Sequence, residues 1–293
     1  MTAYTTCLRL TVLLGICAVM TVPLSASMYP GFALQDDNSL VAVHFSNGVE
    51  RWDVDGVSHL GVEDDEALQW FWYRTGPAGH EQRVDPVNLT FDAAASQATD
   101  GNGDGWSDSA YLLYHDALGR FDVEVTVTLD GGPDGSEQSD LAEQVTVTNT
   151  GSEALEFHFF QYADFNLDGT PDDDEVLYIG NAVDDVDEVM VAKQVDGDYA
   201  LVAADVASVP LAHTEANTDG SLRLKLDNAA ADDLDDSTTA VGDVEWAGQW
   251  DVTLAPGEAF QLSKDKMITP EPATLALLGG GAAMALLLRR RRR

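Results

Sequence analysis

The stretch Phe121–Leu129 (FDVEVTVTL) is the clearest β-strand in the sequence and indicates the fold class. Val123, Val125, Val127 and Leu129 share one face, while acidic and threonine side chains share the other. Side chains alternate across a strand, so this period of two predicts a strand with one buried and one solvated face.

Segments of the same kind follow one another along the chain, separated by Gly, Asp, Asn and Pro. The other predicted strands are 40–45, 50–54, 68–74, 87–91, 141–149, 157–162, 176–179, 189–195, 199–203, 222–226, 250–254 and 260–263. The turn Asn47-Gly48 predicts a hairpin of the first two, and the segment 255–258 predicts a hairpin of the last two. Regularly spaced short antiparallel strands predict an all-β fold, a single β-sandwich.

The first 27 residues have the pattern of a secretory signal peptide. Arg9 precedes the apolar run Leu10–Val22, and small residues up to Ser27 suit cleavage. Both cysteines, Cys7 and Cys17, lie in this segment, so the predicted secreted domain, 28–268, has neither a disulfide nor a free thiol.

The predicted secreted domain is strongly acidic. It holds 50 of the 51 Asp and Glu residues but only nine of the 15 Lys and Arg residues, a net charge of −41. Nucleic acid is excluded as a partner because phosphate binding needs a basic face. Two interpretations remain open: carboxylates that gather divalent cations, or an acidic surface adapted to high salt.

The C-terminal segment, 269–293, has three parts in a fixed order. Pro270-Glu271-Pro272 is held extended by its prolines, and Ala273–Leu288 is an uncharged segment that predicts an apolar helix. At ~1.5 Å per residue this helix reaches about 24 Å, short of the ~30 Å bilayer core. The chain then ends in five consecutive cations, which favour the cytoplasmic side: Arg289, Arg290, Arg291, Arg292 and Arg293.

These three parts closely resemble the PEP-CTERM sorting signal of Gram-negative bacteria. The resemblance implies that the protein is exported, held briefly in the inner membrane, and cut by an exosortase. By the same resemblance it is delivered to the cell surface or to an extracellular polysaccharide matrix. The alternative is an ordinary short tail anchor, which would not need the proline–acid–proline triplet.

The strongest candidate for a functional site is the acidic segment Asp164–Glu175 (DFNLDGTPDDDE). Its spacing fits the calcium loop D-x-[DN]-x-[DN]-G-x5-E, with Gly169 at the sixth position. Ca²⁺ takes roughly six to eight oxygen ligands, which alternate residues and a bidentate glutamate supply. The predicted ligands are Asp164, Asn166, Asp168, the Thr170 carbonyl, Asp172 and Glu175. The flanks are predicted strands rather than helices, so the alternative is a solvated acidic turn.

A second candidate loop is Asp100–Asp108 (DGNGDGWSD). Its predicted ligands are Asp100, Asn102, Asp104, the Trp106 carbonyl and Asp108. The twelfth position is Tyr111, which cannot supply a bidentate carboxylate. This site would therefore be weaker, or completed by Asp116 or by a residue from elsewhere in the chain. In both loops Ca²⁺ would be structural and would clamp a domain that has no disulfide.

The aromatic run Trp70–Tyr73 has two interpretations. One interpretation is that the run is a strand buried on both faces. The other is a platform for sugar rings in a lectin-like module, to which further tryptophans would contribute: Trp52, Trp106, Trp246 and Trp250.

Catalytic motifs are not recognisable in the sequence. The histidines have no zinc spacing, and there is neither a GxSxG motif nor a Gly-rich phosphate loop. A hydrolase pair cannot be singled out among so many carboxylates, because separation in space decides that chemistry. We therefore predict a calcium-stabilised surface or matrix protein that has no catalytic residues and is not an enzyme. The alternatives are a carbohydrate-binding module and a carboxylate-based hydrolase.

Overall fold

The fold is a sandwich of two β-sheets. The computed structural model describes residues 31–60, 69–171, 173–179, 190–196, 201–207, 211–218 and 220–270. Its strands are β1 (Gly31–Asp36), β2 (Ser39–His44), β3 (Gly48–Val54), β4 (Val57–Ser58), β5 (Gln69–Thr75), β6 (Gln82–Arg83), β7 (Thr90–Phe91), β8 (Gln97–Thr99), β9 (Ser109–His115), β10 (Phe121–Gly131), β11 (Ser139–Asn149), β12 (Leu155–Ala163), β13 (Asp174–Ile179), β14 (Met190–Val195), β15 (Leu201–Ala207), β16 (His213–Thr218), β17 (Thr239–Gly242), β18 (Val244–Leu254) and β19 (Ala259–Pro270). A 3-10 turn (Leu167–Gly169) and the helix α1 (Ser221–Leu226) interrupt them.

The first sheet has the order β1-β2-β3-β5-β12-β18-β16, with β4 beside β3 and β6 beside β5. The second has the order β17-β13-β14-β15-β19-β11-β10-β9-β7, with β8 beside β9. Neighbouring strands are antiparallel apart from a short parallel contact between β3 and β5. The predicted all-β sandwich is confirmed, as is the hairpin of β2 and β3 across Asn47-Gly48.

Aromatic side chains fill the space between the sheets. Phe159 on β12 contacts Phe71 and Trp250 in its own sheet and Phe260 in the facing sheet, with ring centroids 5.3 to 6.3 Å apart. Along β10 the apolar positions from Val123 to Leu129 are at most 2% exposed. The alternation in this strand thus sets which face meets the core.

The opposite, outer face of the first sheet is also covered. Trp72 donates through Nε1 to Oδ1 of Asp227, which follows α1, at 2.9 Å. Trp70 donates through Nε1 to the carbonyl of Val84 at 2.6 Å. All four residues of the run Trp70–Tyr73 are at most 1% exposed, which confirms the prediction of a strand buried on both faces.

The predicted strand 222–226 is wrong, since this segment forms α1. Leu222 and Leu226 are four residues apart, so they share one helical face, and both are at most 1% exposed. Leu224, between them, is 64% exposed. The alternation of leucine with polar residues in SLRLKL fits a short helix as well as a strand.

The predicted hairpin across 255–258 is also wrong. Strand β18 pairs with β12 and β16 in the first sheet, whereas β19 pairs with β11 and β15 in the second. The turn therefore carries the chain from one sheet to the other. Similarly, the predicted strand 87–91 shrinks to Thr90–Phe91, because Oδ1 of Asp85 accepts hydrogen bonds from the amides of Val87 and Asn88 and forms a turn.

Candidate functional site

A row of polar side chains crosses the outer face of the first sheet at one end of its central strands. His158 on β12 lies directly opposite Arg74 on β5 and Asp251 on β18, so the three side chains share one face. Nδ1 of His158 is 2.7 Å from Oδ1 of Asp251. The pairing of β12 with β18 thus holds the imidazole of His158 beside the carboxylate of Asp251.

The segment that follows α1 adds Asp233 to this row. Oδ1 of Asp233 accepts hydrogen bonds from Nη2 of Arg74 at 2.6 Å and from Nε2 of Gln249 at 2.8 Å. Nitrogen or oxygen atoms of His158, Asp233 and Asp251 then lie within 4.8 Å of one another, close enough to hold a metal ion. Within the described ranges, this is the one group of three His, Cys, Asp or Glu residues with that geometry. We call these three residues, with Arg74 and Gln249, the His158 cluster.

A buried ion pair holds Arg74 in place beneath the cluster. Nη1 of Arg74 is 2.7 Å from Oε1 of Glu81, and both side chains are at most 4% exposed. Nη1 also donates to the carbonyl of Asp232, whose amide donates to Oε1 of Glu81. The two residues thereby position the backbone that presents Asp233. The side chains of Asp233 and Asp251 remain open to solvent, at 53% and 36% exposed.

The protonation states in the cluster follow from these contacts. The hydrogen bond to Asp251 raises the pKa of His158 and outweighs the opposing effect of burial. Burial alone would raise the pKa of Asp233, but hydrogen bonds from Arg74 and Gln249 lower it. For Asp251, burial is likewise outweighed, here by the hydrogen bond with His158. The cluster is therefore an imidazole that readily holds a proton beside two ionised carboxylates.

Sequence reasoning missed this cluster. The histidines have no recognisable spacing, and no sequence pattern links His158 to Asp233 or Asp251. The sequence signal for this cluster is His158 within FHFFQY (157–162). The other residues on its face of the strand, Phe160 and Tyr162, are aromatic.

The structure places the ligands predicted for the first calcium loop in different surroundings. Asp164 is near Tyr162, whose hydroxyl lies 3.1 Å from Oδ2 of Asp164 and 2.8 Å from Oε2 of Glu245. Burial, and then the charges of Asp243 and Glu245, raise the pKa of Asp164 to about 7. Asp164 is therefore partly protonated at neutral pH.

The other predicted ligands of this loop that the structure describes have surroundings of their own. Asp168 and Thr170 are exposed, and Oδ1 of Asn166 is buried without a hydrogen bond. Glu175 is exposed on β13, where it pairs with Val195 and Val241. Asp172 lies outside the described residues. Within those residues, Asp164, Asp168 and Glu175 do not form a convergent group, and calcium at this loop stays a prediction.

The second predicted loop is organised around its own carboxylates and amide. The two carboxylate oxygens of Asp100 accept from the amides of Gly103 and Gly105 at 2.6 and 2.9 Å. Oxygens of Asn102, Asp104 and Asp108 accept from other amides of the same loop. Gly103 and Gly105 have φ of 82° and 99°, which glycine adopts without strain. Oxygens of four of the five predicted ligands thus accept hydrogen bonds from the backbone of the loop itself.

The tryptophan platform is corrected by burial. Five of the six tryptophans are at most 1% exposed: Trp52, Trp70, Trp72, Trp246 and Trp250. Trp106, in the second predicted calcium loop, is 56% exposed. Stacking of a sugar on a row of exposed tryptophans is therefore not available to this domain.

The predicted export signals lie almost wholly outside the described residues. Of the C-terminal segment, Thr269 and Pro270 are described, and they are the last residues of β19, paired with Val202 and Leu201. The sandwich therefore reaches two residues further than the boundary predicted at 268. In the part of the chain that is described, no helix is long and apolar enough to span a membrane.

The fold is similar to that of solved carbohydrate-active proteins. A bacterial glucoamylase complexed with acarbose matches 86% of this chain at 9% identity, with a TM-score of 0.54. This chain spans only 34% of the length of that enzyme. A galactose mutarotase-like protein from Lactobacillus casei matches 82% of this chain and 99% of its own, at 10% identity and a TM-score of 0.45. No curated protein matches the chain significantly.

This likeness corrects the prediction that the protein is not an enzyme. The fold is one that a carbohydrate-active enzyme contains, so absent motifs do not exclude catalysis. At 9% identity the likeness shows the fold and leaves the activity open.

The family comparison bears on the C-terminal segment. The model of the PEP-CTERM protein-sorting motif matches residues 269–293, the segment in which the sequence predicted it. This motif implies export, brief membrane anchoring through the C-terminus, and processing by an exosortase. The chain therefore carries a C-terminal PEP-CTERM protein-sorting motif.

Proposed function

We propose that the exported domain is carbohydrate-active and binds a sugar residue at the His158 cluster. The observation that carries this proposal is the convergence of His158, Asp233 and Asp251 within 4.8 Å. Carboxylates accept hydrogen bonds from sugar hydroxyls, and imidazole and guanidinium groups donate them. The sandwich fold that it shares with part of a glucoamylase supports the choice of ligand class.

The cluster also has the parts for proton transfer to or from a bound hydroxyl or ring oxygen. His158 holds a proton because Asp251 orients and stabilises its imidazolium, as in other histidine–carboxylate pairs. Asp233 supplies a second carboxylate that is open to solvent and kept ionised by Arg74 and Gln249. We therefore propose that the domain binds its sugar and exchanges a proton with it.

The test is a binding and turnover measurement on the purified exported domain. Calorimetry against a panel of neutral oligosaccharides and matrix polysaccharides measures affinity, and proton NMR detects changes at the anomeric carbon. His158→Gln should weaken binding about 10- to 100-fold, since one charge-assisted hydrogen bond is lost.

The matched control is His115→Gln. Nδ1 of His115 is also 2.7 Å from a carboxylate oxygen, that of Asp122, but this half-buried pair lies on β9 and β10, in the second sheet. This variant should bind as the unchanged protein does. Equal effects of the two variants, or no response to any carbohydrate, would overturn the proposal.

We also propose that the motif delivers the domain to the cell surface or matrix, and that calcium stabilises it there. Support for calcium is the second loop, in which Asp100, Asp104 and Asp108 lie on one glycine-rich turn and accept hydrogen bonds from its amides. Extracellular calcium modules work with Kd of roughly 10⁻⁴–10⁻³ M, so a loop without a twelfth-position glutamate would suffice.

A further inference from the structure

Four charged side chains lie inside the sandwich, between the two sheets. They come from three adjacent strands of the second sheet: Asp205 from β15, Lys264 and Lys266 from β19, and Glu143 from β11. All four side chains are at most 1% exposed. Lys264 and Lys266 lie on the same face of β19 as the buried Phe260, Leu262 and Ile268, so the strand pattern points them into the core.

The four groups form one contact network. Nζ of Lys264 is 2.8 Å from Oδ2 of Asp205 and 3.5 Å from Oε2 of Glu143. Nζ of Lys266 is 2.5 Å from Oε2 of Glu143 and 3.8 Å from Oδ2 of Asp205. Gln69, from the facing sheet, donates to the other oxygen of Glu143 at 2.8 Å.

Asp205 is the incompletely satisfied member of this network. Neither of its carboxylate oxygens has an aligned hydrogen bond, although Nζ of Lys264 is within 3 Å. A carboxylate removed from water costs several kcal/mol unless hydrogen bonds and charges satisfy it. An ion pair alone therefore leaves Asp205 poorly stabilised, and a reaction that removes its charge would relieve that cost.

The environment also favours a neutral amine on Lys264. Burial lowers the pKa of Lys264 to about 8, with the nearby Lys266 adding to the effect. Its Nζ lies 5.9 Å from the centre of the Phe71 ring, in apolar surroundings. The attraction of Glu143 and Asp205 instead raises the pKa of Lys266 despite burial, so this second amine stays charged.

We propose that Lys264 and Asp205 form an intramolecular amide bond, promoted by Glu143. A proton passes from the Lys264 ammonium to the Asp205 carboxylate, which leaves a neutral amine and a neutral carboxylic acid. Nζ attacks Cγ of Asp205, and the carboxylate of Glu143 takes a proton from Nζ and returns it to the departing hydroxyl. One C–O bond breaks, one C–N bond forms and one water leaves, with no oxidant or cofactor required.

Lys266 completes the arrangement as a positioning group. Its ammonium is near both Glu143 and Oδ2 of Asp205, where negative charge develops as Nζ attacks. The bond would join β15 to β19, the strand that leads directly into Pro270 and the sorting motif. In a thiol-free domain it would do what a disulfide does elsewhere, and hold the C-terminal strand in the sheet.

The test is the intact mass of the folded, exported protein, followed by peptide mapping. We expect a mass one water lower than that calculated for the processed chain, whose ends the peptide map defines, and a branched peptide that contains both Asp205 and Lys264. Full sequence mass in the folded protein would overturn the proposal. So would loss of water without the branched peptide, because cyclisation of an aspartate within its own chain gives the same mass.

Two comparisons keep the result specific. Lys264→Arg keeps the charge but should restore the full mass, and Glu143→Gln should leave most of the protein unlinked. The natural control is Lys225, whose Nζ is 2.6 Å from Oε2 of Glu215 but 23% exposed. No branched peptide should form there, since that amine is in contact with solvent rather than enclosed by the core. Equal linkage at both sites would contradict a role for the buried environment.

Discussion

Nδ1 of His158 lies 2.7 Å from Oδ1 of Asp251, directly across the pairing of β12 and β18. The two residues are 93 positions apart in sequence. Their approach depends on the sheet order, which places a late strand beside a central one. The contact sets the charge of the cluster that we propose binds sugar.

Asp251→Asn should lower the pKa of His158 to its ordinary value or below, because burial then acts without the carboxylate. In the unchanged protein the raised pKa means that the pair stabilises the folded state most fully below about pH 6.5, and that this is lost as the pH rises through the folded-state pKa. NMR titration of the imidazole measures the change. His115 serves as the internal reference and should titrate as before; an unmoved His158 would contradict the assignment.

Gly48→Ala should destabilise the domain more than Gly56→Ala. Both glycines have positive φ, 75° and 82°, so both substitutions cost backbone strain of about 1–2 kcal/mol. A Cβ at Gly48 would also lie 2.1 Å from the Trp70 ring, whereas one at Gly56 would meet no atom within 4 Å. Overpacking then adds about 1–3 kcal/mol. Urea denaturation measures both, and equal losses would argue against this packing of Trp70.

Alternation of apolar and polar residues predicted the strands correctly where a strand has one buried face and one solvated face. The strand from Phe121 is an example, because its alternation matches a sheet with the core on one face only. The segment Ser221–Leu226 failed because six residues cannot separate a period of 2 from one of 3.6. The turn at 255–258 failed for a different reason: sequence marks a reversal of direction but does not say whether the next strand stays in the same sheet.

The His158 cluster could not be predicted from spacing, because its members come from four separate segments. Arg74, His158, Asp233 and Asp251 meet only through strand order and the path of the segment after α1. Calcium loops are the opposite case, since their ligands lie within a dozen residues. In a chain this acidic, however, the spacing of a calcium loop also arises by chance, so a match is weak evidence for calcium binding.

Calcium should raise the melting temperature of the domain. With 10 mM calcium and a Kd of about 1 mM, one site adds about 1.4 kcal/mol, which corresponds to about 3–6 °C for a domain of this size. Sodium chloride at equal ionic strength separates calcium binding from screening of the acidic surface.

Asp104→Asn should reduce the calcium-induced shift in melting temperature, while Asp134→Asn should not, because Asp134 is an exposed acid outside both predicted loops. Fluorescence of the exposed Trp106 should report the same transition; a shift reproduced by sodium alone would leave calcium without support.

Replacement of Pro270-Glu271-Pro272 by three alanines should leave full-length protein in the inner membrane. The motif model spans this triplet, the apolar segment and the terminal arginines, and the triplet is the part that a simple anchor does not require. Pro270 is also the last residue of β19, paired with Leu201, so the recognition sequence starts where the sheet ends. An enzyme that cuts near this triplet needs the residues after Pro270 free of the sheet. Alanine in place of Pro272 would no longer resist helix formation back towards the domain.

Fractionation and immunoblotting measure the uncut form. Changing Pro256, in the turn between β18 and β19, to alanine is the matched control and should be processed normally. Release of the triple variant at the normal rate would mean that processing does not depend on the triplet, and would contradict its role as a sorting signal.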